Sequence, residues 1–238
     1  MLGIIGGMGP FASELFYRMI TEKTTAEKDQ DHIELLLLSD AGMPDRTGAI
    51  LSGNTQEVRD RMLADARLLE RSGCRAVAIT CNTAHYFADM IAPELSIPII
   101  HMIRETAKTA AARCGGRKVA ILATDGTIRT ELYQKALRQE GAEPFTPSPE
   151  NQKLVMHLIY DCVKSGRPAD MDAWRRIEEE LLSAGCGTAL LACTELSCIK
   201  ADEHLSDFYI DPMEVLAERC IEFMGKQVKR HGTRSGDR

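Results

Sequence analysis

Short apolar runs alternate along the chain with longer segments whose apolar residues recur every three or four positions. Residues 2–5 read as a strand, followed by a Gly-rich turn and a helix over 10–24. Residues 33–38 form a nearly continuous apolar run, the pattern of a strand buried on both faces. A polar loop with Gly and Pro is expected over 40–53. Val58, Met62, Ala66 and Leu69 fall at spacings of four and three, which predicts a helix over 55–71. Residues 76–79 read as a strand, a helix starts near Thr83, and a short strand over 97–100 follows a Pro-marked turn. The pattern then restarts. A strand over 118–122 leads into a turn holding Gly126 and a helix over 128–139. Helices over 152–164 and 172–182, strands over 189–191 and 208–210, and a helix opening at Pro212 complete it. Such alternation implies α/β layers with mostly parallel strands.

The restart has the form of a duplication. Residues 72–84 align with 184–196 at an offset of 112, so that Gly73 meets Gly185, Cys74 meets Cys186 and Cys81 meets Cys193. In both copies a helix ends at the glycine, a strand follows, and a cysteine stands just beyond the strand. The expected architecture is two similar, pseudo-symmetric α/β lobes with an active-site cleft between them. Residues 1–100 plus 212–230 form the first lobe and 101–211 the second; 231–238 are a disordered tail.

Composition narrows the class. Of 238 residues, 29 are Lys or Arg and 35 Asp or Glu, a net charge of −6 that argues against a nucleic-acid partner. The acidic body is offset by a basic end after Lys226. The opening residues lack the basic segment and long apolar run of a signal peptide, and no stretch approaches the ~18 apolar residues that span a bilayer. A cytoplasmic location without membrane contact follows. There, eight cysteines are core residues, ligands or catalysts rather than a disulfide framework.

Cys81 and Cys193 stand apart from the other six. Ligands bind beyond the carboxyl ends of strands in open α/β sheets, and a cysteine there meets the N–H groups of the next helix, which favour its thiolate. Two lobes facing each other set two thiols across one cleft. Two acid–base groups flanking one carbon are what a racemase needs: one removes the α-proton, the other delivers a proton to the opposite face. Asn82, Thr83 and Thr194 cluster amide and hydroxyl donors where a carboxylate would bind, or cap the helices.

These residues resemble those of a known family, the cofactor-independent aspartate/glutamate racemases, and most closely its aspartate racemase branch. The resemblance rests on Gly6-Gly-Met-Gly-Pro10, Pro44-Asp-Arg-Thr47, Cys81-Asn-Thr-Ala-His85, His101-Met102, Ala123-Thr-Asp-Gly-Thr127 and Cys193-Thr-Glu-Leu196, and spans residues 3–196. It implies that Cys81 and Cys193 are the proton donor and acceptor. Asn82, Thr83 and Thr194 would hold the α-carboxylate, and Met8 would line the substrate. Arg46 and Thr47 of the Pro-Asp-Arg-Thr motif, Lys164 and Glu195 would complete the substrate site. Arg46 has a loop salt bridge as its bland alternative, and Lys164 a helix C-terminus. His85 is expected to pack; Glu195 either orients a thiol or bonds backbone. The resemblance further implies a homodimer, a small acidic amino acid as substrate, and no pyridoxal phosphate.

Competing assignments are weaker. Gly7-Met-Gly-Pro-Phe-Ala12 fits a dinucleotide fingerprint with Asp40 as the ribose ligand, but Pro10 removes one N–H from the cradle. A two-lobed solute-binding protein would not need paired cysteines. Maleate isomerases and hydantoin racemases share the two-cysteine frame but not the Gly-Gly-Met-Gly-Pro and Pro-Asp-Arg-Thr matches. No metal is expected, because the cysteines lack ligand-pair spacing.

Overall fold

The computed structural model describes residues 1–229; the tail expected to be disordered lies outside them. Two four-stranded sheets, parallel throughout, carry the same strand order. The first runs β2 (Leu35–Ser39), β1 (Leu2–Gly6), β3 (Val77–Ile79), β4 (Ile99–Ile100). The second runs β6 (Pro144–Phe145), β5 (Lys118–Ala123), β7 (Cys186–Ala192), β8 (Tyr209–Ile210). Each strand of the first sheet has its counterpart at the same place in the second, as the duplication predicts.

Side-chain alternation explains the layers. Leu2 and Ile4 of β1 point to one face with Ala76 and Ala78, while Ile5 points to the other with Val77 and Ile79. The second face is covered by α3 (Gln56–Arg71) through Val58, Met62, Ala66 and Leu69, the stripe visible in the sequence. The first is covered by α1 (Pro10–Lys23) and α11 (Pro212–Phe223). In the second sheet, Val119, Ile121 and Leu190 face α5 (Met102–Arg113) and α7 (Leu132–Gln139). Ala120, Leu122, Ala189 and Leu191 face α8 (Pro149–His157) and α9 (Met171–Ser183). Helices α5 and α11 pack together. Val215 of α11 joins the second lobe's core, and Met213 and Leu216 the first's.

Several expectations change. The polar loop over 40–53 contains a helix, α2 (Arg46–Ser52), capped by the Asp45 carboxylate, which accepts from Gly48 N at 2.6 Å, and closed by left-handed Gly53. The apolar run over 33–38 is an edge strand, with Leu36 37% exposed, rather than a strand buried on both faces. The helix over 128–139 is two, α6 (Asp125–Arg129) and α7, parted by left-handed Glu131, and Gly126 lies in α6 rather than in a turn. The helix over 152–164 changes character at Leu158–Val163, where one π turn follows α8. α5 and β6 are additions to the elements read from the pattern.

Candidate active site

Interior strands β3 and β7 end at one place between the lobes. Cys81 lies two residues beyond β3 and Cys193 directly beyond β7. Cys193 is the N-cap of α10 (Thr194–Glu203). Cys81 is followed instead by a tight turn, His85 N donating to Asn82 O at 3.0 Å, and α4 (His85–Ile91) starts only at His85. The helix expected from Thr83 therefore begins later, and of the two cysteines only Cys193 stands at a helix N-terminus, where its side chain makes no cap hydrogen bond.

His85 packs, as expected. Its Nε2 accepts from Met102 N at 3.2 Å, so Nδ1 carries the hydrogen and donates to Cys81 O at 2.8 Å. Burial holds the ring neutral, with a pKa lowered to about 3. It fixes the Cys81 turn to the start of α5.

Both sulfurs face one small cavity walled by Met8, Arg46, Thr47, Thr83, Lys164 and Glu195, together with Asp45, Thr124 and Tyr160. Every residue assigned from the sequence to catalysis or to the substrate site is on this wall except Asn82 and Thr194. Its free space is about 10 Å³, enough for about one water. A substrate therefore requires the lobes to part. The closed arrangement is latched across the lobes. Thr83 Oγ1 lies 2.9 Å from both Thr124 Oγ1 and Thr127 Oγ1. Tyr133 Oη donates to Asn82 Oδ1 at 2.5 Å, and Tyr160 Oη to Asp45 Oδ2 at 3.3 Å. Thr124 and Asp45 lie in motifs the resemblance marked, though neither was singled out, and no sequence signal pointed to Tyr160, which the π turn carries.

Charge is distributed unequally over the two thiols. Arg46, 8% exposed, makes no loop salt bridge. Its Nη1 donates to Met43 O and Pro44 O at 3.1 and 2.9 Å, and its Nη2 to Met8 O at 3.4 Å. Burial opposes its charge, but the adjacent Cys81, then Asp45 and Glu195, more than offset this and keep it protonated. Around Cys193 the sign is reversed. Its Sγ donates to Glu195 Oε2 at 2.9 Å, and burial, then the Glu195 charge, push the thiol well above its ordinary range. Glu195 Oε1 is held by Lys164 Nζ in an ion pair. Burial opposes the charge on Lys164, while Glu195 and then Cys193 raise its pKa. Glu195 thus orients a thiol rather than bonding backbone, and both its oxygens are engaged within the protein instead of facing a substrate. Lys164 does end the π turn, yet its ammonium points to this carboxylate.

The dinucleotide alternative loses its ligand. Asp40 is paired with Arg61, and Gly7 is required by close approach: a Cβ there would lie 2.5 Å from Asp40 C, at φ +85. The cysteines are all free thiols. Among the described residues, no cluster of His, Cys, Asp or Glu could hold a metal, and no helix is long and apolar enough to cross a membrane.

Two parallel sheets of identical order, opening onto one small cavity that presents a thiol from each, define a pseudo-symmetric two-lobe α/β protein. The sequence profile of the Asp/Glu/Hydantoin racemase family matches residues 5–220. The aspartate racemase of Picrophilus torridus superposes with a TM-score of 0.83 at 30% identity, over 96% of this chain and 95% of that one. An aspartate racemase homologue from Pyrococcus horikoshii OT3 gives 0.74 at 25%, over 94% and 98%. The broad specificity amino-acid racemase RacX of Bacillus subtilis (strain 168) is 28% identical over 204 residues, 84% of this chain and 87% of its own length. The chain belongs to the Asp/Glu/Hydantoin racemase family, an isomerase family.

Proposed function

We propose that the protein interconverts L- and D-aspartate, with glutamate as the nearest alternative, by two-base proton transfer between Cys81 and Cys193 without pyridoxal phosphate. One observation carries this: equivalent cysteines at the ends of equivalent interior strands share a single small cavity. Two-base racemisation needs one thiolate and one thiol at the outset. The Arg46 guanidinium lies beside the Cys81 sulfur, while burial and Glu195 favour the neutral Cys193 thiol. For one enantiomer, the Cys81 sulfur takes the α-proton and the Cys193 thiol supplies another on the opposite face.

The α-proton is far less acidic than a thiol, so the site must stabilise the developing charge with fixed donors and exclude water. Arg46, held rigid by three backbone carbonyls, and the Thr83 and Thr124 hydroxyls meet the first need, and the closed cavity the second. Arg46 and Lys164 together suit a substrate with two carboxylates. Asn82 Nδ2, buried with no partner among the described residues, is a spare donor one residue from Cys81. The likeness to the Bacillus subtilis broad specificity racemase favours a second reading, a wider range of amino acids. A homodimer in the cytoplasm, implied by the family resemblance, completes the proposal; sedimentation tests the first.

The deciding experiment is α-proton exchange in D₂O, followed by NMR, with each enantiomer of aspartate, glutamate and alanine and no added cofactor. Exchange with inversion for aspartate above glutamate and alanine is expected. No exchange with either acidic amino acid refutes the proposal, and equal rates for all three establish the wider range.

A further inference from the structure

Proton transfer between two thiols does not by itself call for the Lys164–Glu195 pair. Two cavities meet at it. Beyond the inner one, which holds both sulfurs, lies an outer cavity of about 380 Å³ bordered by Gly9, Phe11, Ala41 and Cys198; Met8, Arg46, Lys164 and Glu195 belong to both walls. Neither sulfur lines the outer cavity, so a molecule that enters through it meets the ion pair first. Gly9 leaves that approach open. Its φ of −100 suits any residue, yet a Cβ there would stand 3.2 Å from Glu195 Oε1 and 4.0 Å from Lys164 Nζ. The lysine side chain is 24% exposed and the glutamate 5%, so the ammonium is the partner able to move.

We infer that the second carboxylate of an acidic substrate switches Cys193 from acid to base by drawing Lys164 away from Glu195. Glu195 Oε2 then takes the Cys193 proton. The S–H bond breaks, an O–H bond forms on the carboxylate and the electron pair stays on sulfur, with no change of charge in that transfer. Cys81 enters this turnover as the thiol, protonated from solvent, and delivers the proton to the opposite face, so the pair again counts one thiolate and one thiol. The direction follows from distance. Lys164 touches Glu195 and reaches Cys193 only across it, so its departure weakens the carboxylate's hold on negative charge more than the sulfur's. Once Lys164 leaves, Glu195 keeps Thr194 Oγ1 at 3.5 Å and the more distant Arg46 charge. Glu195 acts only through Cys193. The switch serves the enantiomer whose α-hydrogen faces Cys193, and it makes dicarboxylate preference a property of turnover as well as of binding. It rests on the two-cysteine reading above.

Alanine and formate together are aspartate cut at one bond; acetate in place of formate completes glutamate. The test measures α-proton exchange of saturating L- or D-alanine by the wild-type protein in D₂O, with formate or with chloride at equal ionic strength. Formate is expected to raise the saturating rate of one enantiomer by about 5- to 150-fold, the usual range of coupling between two sites, and not to raise the other. Glu195→Gln, which has no carboxylate to accept the proton, should lose the effect. Formate that changes neither rate, raises both alike, or lowers KM without raising kcat overturns the switch, provided the same preparation exchanges aspartate. A preparation that exchanges neither aspartate nor glutamate refutes the racemase proposal instead.

Discussion

Gly126 marks a close approach of the two lobes beside the cavity. It lies in α6 of the second lobe, and a Cβ built on it would stand 3.0 Å from Thr47 Cα and 3.1 and 3.2 Å from Thr47 Oγ1 and Cγ2, in α2 of the first. Optimal carbon contacts are about 3.5–4.0 Å, so Gly126→Ala forces α2, with Arg46 and Thr47, outward by about half an ångström. Overpacking of this kind costs about 1–3 kcal/mol. The backbone of Gly126 is helical, so within its own lobe alanine is neutral or favourable by up to about 1 kcal/mol. The penalty therefore falls on closure rather than on folding. A closed state disfavoured by 1–3 kcal/mol lowers kcat/KM roughly 5- to 150-fold, while the urea midpoint stays level or rises. The assay pairs aspartate α-proton exchange in D₂O with urea unfolding. Activity within twofold of wild type, or an activity loss matched by an equal stability loss, refutes the closure argument.

Cys81→Ala and Cys193→Ala should each reduce racemisation by at least about 10²–10⁴-fold, the usual contribution of a positioned acid or base; chiral chromatography of the product reads this, and near-normal turnover in either variant ends the two-base assignment. Tyr133→Phe strips the buried Asn82 Oδ1 of its hydrogen bond and should cost about 1–3 kcal/mol in urea unfolding, with kcat/KM falling too because the bond joins the lobes. Asp211, the buried cap of α11 that accepts from Ser197 Oγ and Met213 N, is raised from 3.8 to about 6, by burial first and then by Glu214. The folded protein binds this proton more tightly than the unfolded chain, so the contribution of Asp211 to stability falls as pH rises from about 4 to 6. Asp211→Asn should flatten that window, gaining up to about 3 kcal/mol relative to wild type by pH 7, since one pKa unit is about 1.4 kcal/mol; an unchanged pH–stability curve contradicts it.

The elements with a strong local signal were legible in the chain. The α3 stripe is a period of 3.6 that survives any tertiary context, and the repeat at offset 112 fixed two equivalent strands and the cysteines beyond them. The family motifs, read along the chain, brought together most of the cavity wall. Short elements carried no such signal. Seven residues of α2 have too few apolar positions to show a period, and only the Asp45 cap and Gly53 betray them. The run over 33–38 is equally apolar as an edge or an interior strand, because composition does not encode which neighbour a strand pairs with.

The sequence by itself determined two α/β lobes, a cysteine at the end of one interior strand in each, and the basic residues near them. Tertiary structure alone decided how those cysteines differ. Cys81 meets a guanidinium that a short helix turns inward, and Cys193 meets a carboxylate held by Lys164, 31 residues away along the chain. The physical reason is that a thiol's charge state depends on burial and on charges within a few ångströms. Distances of that size between residues remote in the chain exist only once each lobe has folded.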